Sequence, residues 1–195
     1  MDIKAKMHSQ DVYYCDDMSL MPTSYRIRFT HSFASISSRL NTALSFREES
    51  SLKGFRISSN HSDLDVDVIY QFISQSYWAS GIPRVTLEKA ISNSWCFGVF
   101  EENGNQVGFA RLITDKATFA YLADVFVIDC YRGKGLSKWL VKTIIEHPEV
   151  QGLRRLMLAT RDAHALYSQY GFRSVENPEI LMQIWQPNVY HDPVE

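Results

Sequence analysis

The residues best suited to chemistry are Arg132-Gly133-Lys134-Gly135-Leu136-Ser137, a basic, glycine-rich turn. It lies between the apolar run Tyr121 to Ile128 and the amphipathic segment Leu136 to His147. A strand that turns through glycines into a helix presents unpaired backbone N–H groups and the positive end of the helix dipole. Such a turn is a ready site for phosphate or pyrophosphate. Arg132 and Lys134 add charge, and Lys138 reads as a helix-surface residue. A P-loop needs G-x-x-x-x-G-K-[ST], which Gly133-Lys134-Gly135 cannot supply. A dinucleotide fingerprint needs a third small residue where Lys138 stands and an acidic residue near Leu153-Arg154-Arg155, and neither is present. An acyl-coenzyme A turn of the form [RQ]-x-x-G-x-[GA] fits from Arg132 through Gly135, with Ser137 in the last place. Taken alone, a solvated basic turn is an equal reading.

The elements that must position this turn follow from periodicity. Phe55-Arg56-Ile57-Ser58 reads as a strand. Ser62 or Asp63 caps an expected helix whose Leu64, Val68, Ile69, Phe72, Ile73 and Tyr77 share a face, stopped by Gly81 and Pro83. Thr86 caps a short second helix through Leu87, Ala90 and Ile91. Trp95 to Glu101, an Asn103-Gly104 turn, and Gln106 to Thr114 form an expected hairpin. A turn near Asp115 leads to a strand over Phe119 to Ile128, and a helix over 136–147 ends before Pro148. A strand at Arg155 to Thr160, a helix over 162–170 closed by Gly171, and a strand over Leu181 to Gln186 complete the order β-α-α-β-β-β-α-β-α-β. That order describes a mixed α+β fold.

Residues 1–53 read differently. They are rich in Ser, with a strand-like Tyr25-Arg26-Ile27-Arg28-Phe29 and helical spacing at Phe33, Ile36, Leu40 and Leu44. They are expected to be either a small docking or dimerising unit or a poorly ordered extension of unknown role, preceding a domain over 54–195.

A second motif, Ala163-His164-Ala165-Leu166-Tyr167-Ser168-Gln169-Tyr170-Gly171-Phe172, reads as a short helix, a glycine cap and the start of a strand. With the glycine turn and the order of elements, it resembles the GNAT (GCN5-related) N-acetyltransferase superfamily over residues 54–187. The resemblance implies a mostly antiparallel central sheet flanked by helices. It also implies an acetyl-CoA-dependent N-acetyltransferase in which a primary amine attacks the thioester directly. The chain departs from the family at Arg161-Asp162, where many members carry Asn just before the Ala.

Under this resemblance, Arg132, Gly133, Lys134, Gly135, Leu136 and Ser137 would hold the pyrophosphate of coenzyme A. Val125-Phe126-Val127 would lie on a bulged, splayed strand whose backbone pairs with the pantetheine arm and polarises the thioester carbonyl. Tyr167 is the candidate acid for the departing thiolate, with core packing as its competing reading, and Tyr170 is the fallback, off the family position. Asp124 interrupts an apolar strand and is a candidate base, or else an ion-pair partner of Arg111. Tyr77, Trp78, Ser80 and Arg84, with Arg111, are candidates for the acceptor pocket, where aromatics suit a ring or an alkyl ammonium. His164 reads as a surface or packing residue, and no metal cluster is expected.

The bulk numbers narrow the partners. Hydrophobic residues make up 45% and aromatic residues 13%, which fits an ordered globular protein. A formal net charge of −2 argues against nucleic acid as a partner. Cys15, Cys96 and Cys130 lack metal-ligand spacing and suit a reducing, cytoplasmic setting. No apolar run is long enough for a membrane span, and the chain's start does not lead into a signal-peptide core. A small amine, an amino acid, an antibiotic and a protein lysine all fit as acceptors, and a homodimer is compatible. The competing readings are a non-catalytic acyl-CoA-binding sensor and an interaction or nucleic-acid module.

Overall fold

The structure is a computed structural model and describes residues 52–190. The expected N-terminal strand and helix over Tyr25 to Leu44 lie outside them. The described chain begins with Leu52 already packed against the core.

Five strands form one sheet in the order β1 (Phe55–Ser58), β2 (Trp95–Glu101), β3 (Gln106–Thr114), β4 (Phe119–Val127) and β5 (Arg155–Met157). Neighbours are antiparallel except β4 and β5, which run parallel. The β2–β3 hairpin has the expected bounds, because two nearly continuous apolar runs, buried on both faces, flank an Asn103-Gly104 turn with Gly104 at φ 94°. The β3–β4 turn is organised by Asp115, whose carboxylate accepts from the backbone N–H groups of Ala117, Thr118 and Phe119. The Thr118 hydroxyl, which donates to its other oxygen, and these backbone bonds hold its carboxyl well below the usual carboxylate range.

Helices cover both faces. On one, α1 (Val66–Ile73) and α2 (Arg84–Ser92) place Ile69, Ile73, Leu87 and Ile91 against Cys96, Phe109 and Phe126. On the other, α3 (Leu136–Ile145) presents Leu136, Leu140, Val141 and Ile144 as one buried stripe. Burying each such side chain contributes about 1.5–3 kcal/mol. This stripe therefore fixes the start of α3 at the end of β4. The short α4 (His164–Tyr167), continued as a 3₁₀ turn over Ser168–Tyr170, packs on the same face through buried Tyr167. Gly171 closes it at φ 86°, as the sequence led one to expect.

Three expectations change. The first helix is shorter than its apolar face suggested: Asn60 caps a 3₁₀ turn over His61–Asp63, and Asp65 rather than Ser62 or Asp63 caps α1. After Ile73 the chain turns, so Ala79 and Ile82 rather than Tyr77 reach the core. The second helix starts before Thr86, from Pro83 as its N-cap. The third change is at the C-terminal side, where Leu181 to Gln186 form no strand. Met182 is 98% exposed and Ile184 95%. Alternation makes a strand only beside an edge that can complete its ladder, and β5, at 3 residues, offers very little.

Asp65 accepts from the N–H groups of Asp67 and Val68, while its own N–H donates to buried Gln106 at 2.7 Å. Asp65→Ala is expected to lower the unfolding free energy by about 1 kcal/mol, read as a lower urea midpoint at unchanged slope. An unshifted midpoint would show that the cap carries no stability.

Candidate active site

Between Phe109 and Arg111, β3 has one intervening residue, while their partners on β4, Phe126 and Ala123, have two between them. Asp124 and Val125 together face Ala110, which makes a β-bulge in β4. Asp124 sits there in the left-handed region at φ 53°, a conformation that Asp tolerates better than most residues. Pairing of β4 with β5 is confined to Phe119–Tyr121. Past Tyr121 the β5-facing edge of β4 has no strand beside it among the described residues. The splayed, bulged strand expected through Val125, Phe126 and Val127 is thus present as geometry.

The strand continues through a 3₁₀ turn (Asp129–Tyr131) to the glycine turn. Gly133 and Gly135 have φ of 79° and 83°, and Gly135 is the N-cap of α3 with no side-chain cap. A Cβ at either glycine would meet no atom within 4 Å, so the space above the turn is open. Leu136 is buried in the core and lends only its backbone to this surface. Ser137 opens the first turn of α3. Arg132 pairs with Asp129 at 2.9 Å, and its Nε donates to the Val127 carbonyl at 3.4 Å. The Lys134 ammonium lies over the Tyr131 ring, 4.8 Å from its centroid. The residues present fit a pyrophosphate: an uncapped helix start, two positive-φ glycines with clear space, and two flanking cations.

Asp124 is the hub on the other side. Arg111 Nε donates to its Oδ2, and Trp78 Nε1 donates to its Oδ1 at 3.0 Å. Arg111 Nη1 also donates to Ser94 Oγ at 3.2 Å, and Ser94 Oγ donates to the Ala90 carbonyl at 2.7 Å. The two charged side chains are 16% and 8% exposed. Of the two readings of Asp124, the ion pair is the one observed, and both oxygens hold donors. Arg111 is thus committed to Asp124 and Ser94 in this network. Cys96, beside this pair, is buried and its thiol is pushed up to about 12 by that burial, so it is no nucleophile.

The candidate acceptor residues separate. Tyr77 and Trp78, at 50% and 42% exposure, remain on the surface and meet edge to face at 4.9 Å. Phe72, from α1, stacks on Phe126 at 4.0 Å and lies beside Trp78, so this wall is continuous with β4. Ser80 is exposed in the same loop. Arg84 is not brought to it: the side chain is held by Asp67 of α1 at 2.5 Å and Glu88 of α2 at 2.7 Å. A helix-surface arginine with carboxylates within reach on both helices is captured by them.

Tyr167 is buried, makes an edge-to-face contact with Phe172, and has its phenol pushed up to about 12, first by burial and then by Tyr77 and Asp162. It is a neutral donor throughout the physiological range. Tyr170 is occupied elsewhere, donating to the Lys138 carbonyl at 2.9 Å. Sequence reasoning missed one participant. Arg161 lies over the Tyr77 ring at 3.8 Å, joining the loop after β5 to the loop after α1. Its signal was the departure at Arg161-Asp162. His164 is exposed, and no metal-binding group occurs among the described residues.

Residues 66–172 match the model of the acetyltransferase (GNAT) family. An inferred acetyltransferase of Gibberella zeae is 33% identical over 137 residues, covering 59% of this chain and 76% of that protein. The crystal structure of an inferred GNAT acetyltransferase from Xanthomonas campestris pv. campestris is 45% identical with a TM-score of 0.70, covering 73% of this chain and all of that one. A Mycobacterium tuberculosis protein crystallised with CoA shares the fold at 20% identity and a TM-score of 0.50, covering 62% of this chain and 73% of that one. Among the described residues no helix is long and apolar enough to cross a membrane.

Tyr167 carries a direct readout. A free phenol releases its proton near 10 and the folded Tyr167 near 12, so folding favours its neutral form. The associated stability is complete below about 10 and is lost as the pH climbs from about 10 to about 12. Ultraviolet titration of the protein minus Tyr167→Phe should show one phenolate appearing near 12. A difference transition at the free-phenol value would mean that the ring is not buried in solution.

Proposed function

Because the chain belongs to the acetyltransferase (GNAT) family, we propose that it transfers an acetyl group from acetyl-CoA directly to a primary amine, without a covalent acyl-enzyme. The observation that carries this reading is continuity: the bulged stretch of β4, with an edge free of β5, leads straight into the uncapped glycine turn of α3. Acetyl-CoA would supply the acyl donor, a thioester.

The turn N–H groups of Gly133, Gly135, Leu136 and Ser137, with Arg132 and Lys134, would hold the pyrophosphate. Backbone groups of Val125, Phe126 and Val127 would hold the extended arm as an added strand, and an N–H there would bear on the charge that develops at the carbonyl oxygen. Tyr167 supplies a protonated oxygen for the leaving sulfur; with its pKa above that of a thiol, it acts by hydrogen bonding as sulfur gains charge. Asp124 is assigned to positioning: it fixes the bulge and, through Trp78, the acceptor loop. With both its oxygens engaged, the proton of the amine would leave through water.

One observation favours a second reading. The locked Asp124 pair removes the candidate base, which suits a non-catalytic acyl-CoA sensor. Release of free thiol from acetyl-CoA with a panel of amines separates the two, since a sensor binds and releases none. Tyr167→Phe is expected to lower kcat roughly a hundredfold while acetyl-CoA titrates as before. Unchanged turnover would remove Tyr167 from the mechanism. Gly135→Glu, which places a carboxylate and a strained φ at the turn, is expected to abolish acetyl-CoA binding by calorimetry. Normal binding by that variant would overturn the assignment of the turn.

A further inference from the structure

We propose that the acceptor amine also carries a carboxylate, and that this carboxylate docks on Arg161 where that side chain crosses the ring of Tyr77. The proposal rests on the acetyltransferase reading and adds the acceptor's chemical class.

Three observations carry it. Arg161 belongs to the loop after β5 and Tyr77 to the loop after α1, and the guanidinium carbon lies 3.8 Å from the ring centroid. A guanidinium stacked through its face keeps its edge N–H groups for a planar, bidentate partner. The second observation concerns charge. Arg56, Arg84, Arg111 and Arg132 each have a carboxylate partner. Arg161 has none among the described residues, and of the arginines in that condition it is the one held over an aromatic ring. The third is its neighbour. Asp162 is exposed, has no Lys or Arg partner among the described residues, and with Tyr77 bears electrostatically on Tyr167.

An unpaired cation and an unpaired anion thus sit side by side near Tyr167, the candidate hydrogen-bond donor to the leaving sulfur. Their charges are complementary to a zwitterion: a carboxylate on Arg161 and an ammonium drawn toward Asp162. A dianionic phosphate would face a single guanidinium and be repelled by Asp162. The acceptor class that fits is an amino acid, or a larger amine bearing a carboxylate.

Matched acceptors provide the test: free amino acids, their carboxamides and their decarboxylated amines, followed by thiol release from acetyl-CoA. The acids are expected to exceed the amides in kcat/KM by at least about tenfold, mainly through KM. In Arg161→Gln the ratio should fall to near one, and Arg161→Lys should restore part of it. Acetyl-CoA titration of each variant reports any loss of the fold. Equal use of acids and amides by the wild type, or a preference that survives in Arg161→Gln, overturns the proposal while leaving acetyl transfer standing. Thiol release with none of the acceptors, by protein that binds acetyl-CoA, removes the transferase reading and this proposal with it.

Discussion

A carboxylate held at a left-handed backbone position is the constraint on which the site depends. A non-glycine residue in that region costs on the order of 1–3 kcal/mol, and it persists only where its surroundings over-determine it. At Asp124 they do. Arg111 holds one oxygen, Trp78 the other, and the arginine is itself anchored to Ser94. Both charges are largely withdrawn from water, so removal of either partner would leave the other uncompensated, a cost of about 3–5 kcal/mol. The ion pair is therefore less a source of stability than a lock. It keeps the extra residue in β4, and with it the departure of β4 from β5.

The lock also couples regions distant in the chain. Trp78 hydrogen-bonds Asp124, Phe72 stacks on Phe126, and Ser94 reaches the last turns of α2 through Ala90. The loop that carries Tyr77 is consequently seated on the strand that leads to the glycine turn. Arg161 and Tyr167, by contrast, come from the chain after β5, where Arg161 meets the Tyr77 ring. The Tyr170 bond to Lys138 fastens that segment to α3.

Much of this is legible in the amino-acid sequence. The β2–β3 hairpin is written in two apolar runs joined by an Asn-Gly turn, and the start of α3 in Gly135, whose φ only glycine adopts freely. The bulge was legible only by resemblance, because nothing in the residues around Asp124 dictates its φ. Helix bounds failed where local polar chemistry outran periodicity: Asn60 took Ser62 into its own turn and left Asp65 to start α1. The pairing of Asp124 with Arg111 was foreseeable because both interrupt adjacent strands. The meeting of Arg161 with Tyr77 was not, since it depends on how two loops converge across the open side of β4.

The stretch from Ile180 to Val189 has a consequence of its own. It leaves Ile180, Met182, Ile184 and Trp185 largely in water. Wetting apolar surface is unfavourable by about 25 cal/mol per Å². A polypeptide surface seldom keeps so many large apolar groups wet in one run. Among the described residues, this run gathers the densest series of large apolar side chains left exposed, so water contact is costliest along it.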